Sequence, residues 1–143
     1  MVTMNNTVGF KITFGVNQGY FHSNENKPET DIISDDIIDM ISSVANEPYG
    51  MGSLFGQKRD IYVSGILTPA SVCYPKMFGC PNGGEKGFVY SGCMNPNFVE
   101  NKNAYMQAVE SLAKKIKEKY KQSTVTVEFV DTEMLYLQNE SEV

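Results

Sequence analysis

The sequence predicts an α+β fold of the ferredoxin-like kind, in which a β-α-β-β-α-β chain forms an antiparallel sheet with two helices on one face. Three observations lead to this prediction. The segments 8–16 and 123–131 alternate apolar and polar residues, as half-buried strands do. Two further segments carry apolar residues at helical spacing. Between the two helices, a glycine-rich stretch indicates an extended β-hairpin at 71–94.

The first strand and the first helix come from the N-terminal half of the chain. In VGFKITFGV, every second residue from Val8 to Val16 is apolar, which places these side chains on one face of a strand. Ser34 then provides an N-cap, and Pro48 disfavours helical geometry in the residue before it, so we expect a helix between them. Its apolar face consists of Ile37, Ile38, Ile41, Val44 and Ala45.

The middle of the chain predicts a strand at 60–68, which Pro69 should end or bend, followed by the hairpin. The hairpin arms are expected at 71–78 and 87–94, on either side of PNGGE, where Asn-Gly-Gly supplies the positive φ angles of a reversal. If the hairpin folds about Gly83, Cys73 lies opposite Cys93. Such a cross-strand pair is close enough to form a disulfide on oxidation.

The second helix, expected at 103–121, has the most regular apolar stripe of the sequence. Its members are Tyr105, Ala108, Val109, Leu112, Ala113, Ile116 and Tyr120. The last strand follows, with Val125, Val127 and Phe129 directed inward. We expect residues 1–143 to form a single domain, with a frayed acidic tail at 139–143.

The composition indicates which cellular compartment and which kinds of partner to expect. Of the 143 residues, 41% are hydrophobic and 20% are charged, which is typical of a folded globular protein. The net charge of −5 argues against duplex nucleic acid as a partner. No apolar run is long enough for a bilayer, and no secretory signal pattern is present, so we expect no membrane partner and a cytoplasmic protein. An odd number of cysteines, three, also favours a reducing compartment.

Metal and cofactor motifs are weak. Cys73, Cys80, Cys93 and the single histidine, His22, are the right residue types for structural zinc. Their spacings match no short metal-binding turn, and buried small side chains explain the cysteines better. The glycines of GCPNGGEKG could form an anion-binding nest with Lys86, although the segment matches no nucleotide-binding motif. The sequence therefore predicts neither a metal nor a cofactor.

The hairpin supplies the predicted ligand-binding residues. In the register about Gly83, four rings and a lysine share one face: Tyr74, Lys76, Phe78, Phe88 and Tyr90. Such a set can stack a planar ligand, whereas the simpler interpretation places the rings in the core or in a subunit interface. Arg59, the only arginine, and Lys86 could hold a phosphate or carboxylate.

We therefore expect a small non-catalytic protein that binds or sequesters a nucleotide-derived molecule, as a phage-type accessory protein would. Because aromatic patches and open sheet edges are usually covered, we also expect a homo-oligomer. One alternative is a small enzyme that uses His22 or a cysteine. Another is a structural or protein-interaction module. Catalysis is the less favoured interpretation, because the sequence offers few positioned acid–base groups.

Overall fold

The structure, a computed structural model, describes residues 2–16, 38, 39, 42 and 61–139. Its elements include the strands β1 (Val2–Gly15), β2 (Ile66–Val72), β3 (Glu85–Cys93) and β4 (Thr126–Leu137), a 3₁₀ turn (Lys76–Phe78) and the helix α1 (Lys102–Lys119). The strands form one sheet in the order β2-β3-β1-β4. Each neighbouring pair is antiparallel, so β1 lies between β3 and β4.

As predicted, the alternating apolar side chains of the first strand lie on one buried face. Val8, Phe10, Ile12 and Phe14 are buried in the core with the apolar stripe of α1. The ring centroids of Phe10 and Tyr105 lie 6.2 Å apart, and those of Phe14 and Tyr120 lie 6.1 Å apart. Aromatic pairs at such distances bury large apolar areas, so they fix the helix against the central strand.

Helix α1 begins and ends close to the predicted limits. The side-chain oxygen of Asn101 accepts a hydrogen bond from the backbone N–H of Ala104 at 3.0 Å, which satisfies one of the donors that a helix start leaves open. At the other end, Lys121 has a φ of 50°, so the chain turns sharply before it enters β4. Among the described residues, no helix is long and apolar enough to cross a bilayer.

The predicted ferredoxin-like fold with two helices on one face is wrong. In the described residues the antiparallel sheet carries one helix, α1. The other predicted helix falls largely outside these residues, although Ile38, Asp39 and Ser42 have helical backbone. Ile38 is 48% exposed, so this member of the expected apolar face is not buried against the sheet.

The hairpin register also differs from the prediction. β2 pairs with β3 so that Leu67 lies opposite Tyr90 and Val72 lies opposite Glu85, whereas Cys93 lies opposite Gly9 of β1. β2 continues through Pro69 because it is an edge strand, where a missing N–H interrupts no ladder. The connection at 73–84 is therefore a wide loop. The positive φ angles of Gly83 and Gly84 agree with the prediction.

Two buried tyrosines of the core differ in their hydrogen bonding. The Tyr90 hydroxyl donates to the carbonyl oxygen of Val63 at 2.8 Å. The Tyr105 hydroxyl is buried with no hydrogen-bond partner among the described residues. Burial raises the pKa of the Tyr105 phenol, and the neighbouring Cys93 and Tyr90 raise it further.

We expect Tyr90→Phe to lower the free energy of unfolding by about 1–2 kcal/mol, because it leaves a buried carbonyl without its donor. Tyr105→Phe should change it by less than about 0.5 kcal/mol, or increase it, because no described hydrogen bond is lost. Urea denaturation of the two variants beside the wild type measures both changes. Equal losses of unfolding free energy in the two variants would show that the Tyr90 hydrogen bond does not distinguish the two hydroxyls.

The raised pKa of Tyr105 also makes the free energy of unfolding depend on pH. An unfolded tyrosine loses its proton near a pKa of about 10. Folded Tyr105 keeps its proton to higher pH, so the folded state loses stability as the pH rises above that value. Tyr105→Phe should therefore weaken the alkaline fall in unfolding free energy between about pH 9 and pH 11, as urea titrations at each pH would measure. If the alkaline fall in unfolding free energy is unchanged in Tyr105→Phe, groups other than Tyr105 cause it.

Candidate functional site

Four segments meet at one end of the sheet and enclose a cavity of about 160 Å³. There β1 ends, β2 ends, β3 begins, and the chain leaves α1 to enter β4. We call this space the strand-end cavity. Its lining includes the polar side chains Thr13, Tyr74, Glu85, Gln122, Thr124 and Thr126. The antiparallel topology thus brings side chains that are far apart in the sequence to one place.

A pair of glycines limits what can fill this end of the sheet. Gly15 and Gly87 are cross-strand partners in β1 and β3. A Cβ on Gly15 would lie 2.8 Å from Oε2 of Glu85 and 2.8 Å from Oε1 of Gln122. A Cβ on Gly87 would lie 2.9 Å from Cγ2 of Val72 and 2.5 Å from the Phe14 carbonyl oxygen. Position 87 requires glycine because a Cβ there would meet backbone, whereas the space over Gly15 is filled by the ends of two long side chains.

Glu85 is the acidic side chain of this site. It is the first residue of β3, it is 7% exposed, and it lines the strand-end cavity. Withdrawing a carboxyl group from water is costly unless its surroundings compensate for the lost hydration. Buried acidic groups in clefts are therefore candidates for binding or catalysis.

Gln122 places a second oxygen beside that carboxyl group. It follows the turn at Lys121 and is 8% exposed. Its Nε2 donates to the Tyr120 carbonyl oxygen at 3.0 Å, and its backbone N–H donates to the Lys117 carbonyl oxygen at 3.0 Å. With the amide nitrogen directed to the backbone, Oε1 lies over Gly15. The ends of the Glu85 and Gln122 side chains therefore both pack against the backbone of β1 at Gly15.

The structure separates the ligand-binding residues that the sequence predicted. Tyr74 lines the strand-end cavity, whereas Phe88 and Tyr90 are buried in the core. Lys76 and Phe78 lie in the 3₁₀ turn and are exposed. The five hairpin side chains therefore do not form one platform, because the register and the wide loop direct them to different surroundings.

Of the predicted cations Lys86 and Arg59, only Lys86 lies within the described residues. Lys86 is exposed and lines a separate cavity of about 370 Å³ with Val16 and Phe88. Arg59 and His22 fall outside the described residues. The ligand-binding role of the seven predicted residues stays a prediction.

The cysteines do not assemble with other metal ligands in the described part of the chain. There, no three side chains of His, Cys, Asp or Glu lie close enough to share a metal ion. Cys73 is exposed, and Cys80 and Cys93 are partly buried, all as free thiols.

Sequence reasoning missed Glu85 and Gln122. The sequence pattern places Glu85 in the hairpin turn, where an acidic residue is ordinarily solvated. Its position after Gly83-Gly84 and before an alternating strand is the signal that could have identified it as the start of that strand. Gln122 follows the apolar stripe of α1, and nothing in its sequence surroundings distinguishes it from a helix-terminal surface residue.

Comparison with known proteins gives one family. No curated protein and no solved structure matches the chain. A family model described as SAM lyase matches residues 5–138, which include Gly15, Glu85 and Gln122 of the strand-end cavity. The chain therefore belongs to the SAM lyase family.

Proposed function

We propose that this protein binds S-adenosylmethionine and cleaves it without the addition of water. The family match over residues 5–138 is the observation that carries the proposal. S-adenosylmethionine is a nucleoside joined to an amino acid, so it falls in the class of nucleotide-derived ligands that the sequence predicted. The family name favours an enzyme over the non-catalytic binder that was expected.

The substrate itself makes such a reaction feasible. Its sulfur bears three carbon substituents and a positive charge, so it leaves as a neutral thioether with the electron pair of the broken carbon–sulfur bond. The carbon that has lost the sulfur must then form a new bond to another atom of the same substrate molecule. Either the substrate carboxylate closes on that carbon, or a neighbouring carbon loses a proton and a double bond forms. When the carboxylate closes, the two products together contain all the atoms of the substrate. When a double bond forms, they contain all but one proton, which a base must accept.

The strand-end cavity is the proposed binding site. Its volume of about 160 Å³ is below the roughly 300–1,000 Å³ of typical small-molecule sites, so it holds only part of the substrate. The buried Glu85 carboxyl group suits the positively charged sulfonium and ammonium region. Among the described residues of the predicted ligand-binding set, Tyr74 alone lines this cavity, and its ring is a candidate contact for the adenine.

Exposed apolar side chains support the expected homo-oligomer. Among the described strands β4, of 12 residues, lies at an edge of the sheet, and Val130, Leu135 and Leu137 on it are at least half exposed. Long edge strands with apolar side chains are usually covered. We propose that a second copy of this chain covers them.

For the activity, we expect purified wild-type protein to convert S-adenosylmethionine to two products whose masses add up to that of the substrate, to within one proton. Liquid chromatography with mass spectrometry measures the loss of substrate and both masses. Glu85→Gln should lower the rate by about tenfold or more, because it removes the charge of a buried carboxyl group.

The matched control for that variant is Glu128→Gln, which removes an exposed carboxylate from β4 and should leave the rate unchanged. Binding of S-adenosylmethionine without turnover would contradict the lyase proposal and restore the non-catalytic binder. Products that together contain an additional water would identify a hydrolase instead.

For the oligomer, we expect light scattering after size exclusion to give a mass above the 15.9 kDa of one chain. Replacing Leu135 and Leu137 by lysine should shift the protein towards the monomer, because charges on an apolar interface are costly to bury. Met77→Lys, a change in the exposed 3₁₀ turn, is the control and should keep the wild-type mass. A monomeric wild type would overturn the proposal.

A further inference from the structure

We propose that Asn82 is a site of spontaneous chemical modification, at which the side chain loses ammonia and the backbone rearranges to isoaspartate. Asn82 is the one asparagine of the sequence that a glycine follows. It lies three positions before Glu85, so the change reaches the strand-end cavity. The inference concerns how long this site keeps its shape, and it does not depend on which ligand the cavity binds.

The reaction needs only water as a co-reactant. The backbone nitrogen of Gly83 attacks the side-chain carbonyl carbon of Asn82, a five-membered succinimide ring closes, and the side-chain nitrogen leaves as ammonia with the proton of the Gly83 nitrogen. Water then adds its OH to one of the two ring carbonyls, and the ring nitrogen regains a proton. Opening at the side-chain carbonyl gives aspartate. Opening at the main-chain carbonyl gives isoaspartate, whose backbone runs through the former side chain.

The turn around Asn82 leaves the reacting atoms accessible. The backbone N–H of Gly84 donates to the Pro81 carbonyl oxygen at 3.0 Å, which closes a β-turn with Asn82 and Gly83 at its exposed tip. Among the described residues, no hydrogen bond holds the Asn82 amide or the Gly83 N–H. Beyond the adjoining residues, no heavy atom lies within 4 Å of the position of a Cβ on Gly83, so the ring and the water have space.

Gly84 transmits the change from the turn to the cavity. A Cβ on Gly84 would lie 3.2 Å from Sγ of Cys73 and 3.2 Å from the Val72 carbonyl oxygen, so the backbone here packs closely against the end of β2. Glu85 follows and pairs with Val72, the last residue of β2. Isoaspartate adds one carbon to the backbone of the turn, and the close packing at Gly84 leaves no room to absorb it. The start of β3 must therefore shift, and the Glu85 carboxyl group shifts with it.

The first test follows the modification itself. Purified wild-type protein is kept at mildly alkaline pH, which favours attack by the backbone nitrogen, and samples are digested with trypsin. We expect peptide 77–86 to gain about one dalton, because an amide becomes an acid, and to separate by liquid chromatography into aspartate and isoaspartate forms, the latter more abundant. Peptide 87–102 is the internal control, since its asparagines precede proline, phenylalanine and lysine. Equal conversion of the two peptides, or none of 77–86, would overturn the inference.

The second test measures the consequence for the site. Asn82→Gln should stop the modification, because glutamine must close a larger ring that forms more slowly. Asn82→Asp adds the charge without lengthening the backbone, so the fresh variant should match fresh wild type. We expect aged wild type to unfold at lower urea concentrations and to lose cleavage of S-adenosylmethionine in proportion to its isoaspartate content, whereas aged Asn82→Gln keeps both properties.

A loss of stability in Asn82→Gln equal to that of the aged wild type would assign the effect to another change and overturn the link to Glu85. An isoaspartate-containing wild type of undiminished stability would overturn it as well. Peptide masses and urea unfolding are measured without ligand. A protein that lacks the proposed lyase activity is therefore a separate result from a protein whose Asn82 stays intact.

Discussion

Strand β1 contributes four side chains to the core that α1 covers, and it forms hydrogen bonds along both of its edges. Val8, Phe10, Ile12 and Phe14 alternate with residues on the opposite face. A slip of one residue against β3 or β4 would bring Lys11 and Thr13 into the core, so the apolar pattern determines the register of the whole sheet. The same register places Gly15 opposite Gly87. The strand-end cavity is thus positioned by the packing of the core.

The prediction succeeded where one long segment carries a regular pattern. The alternation in β1 and the stripe of α1 gave the correct type of element, and the buried side chains are those expected. Both patterns depend only on neighbours within the segment, which the sequence displays directly. The ferredoxin-like arrangement required a second helix packed on the sheet, which a local pattern cannot place.

The strand-end cavity depends on how β2 pairs with β3, and the sequence did not reveal that register. A tight turn at Gly83 would have aligned Cys73 with Cys93, but β2 ends at Val72 and a loop of 12 residues follows. That shift moves Glu85 from a solvated turn to the first position of a buried strand. The aromatic side chains of the two arms then separate into core and surface. Residues that act together across a sheet become visible only when the pairing is known.

The buried polar side chains of the described core fall into two kinds. The buried Thr7 hydroxyl donates to the Met94 carbonyl oxygen at 2.8 Å. This hydrogen bond ties β1 to the residue that follows β3. Glu85 and Gln122 instead line the strand-end cavity, and the Gln122 amide nitrogen also donates to the Tyr120 carbonyl oxygen. Proteins commonly accept lower stability at such positions in exchange for function.

Pro69 makes the two outer strands of the sheet unequal. β2 and β4 are both edge strands in the described structure. Pro69 has no N–H, so the outer edge of β2 presents a gap to any approaching strand, whereas β4 contains no proline. Among the described residues, backbone pairing with a further strand is therefore hindered at the edge of β2, and no strand covers the edge of β4. A sheet of this kind can be extended in one direction only, which favours assemblies of limited size over open-ended fibres.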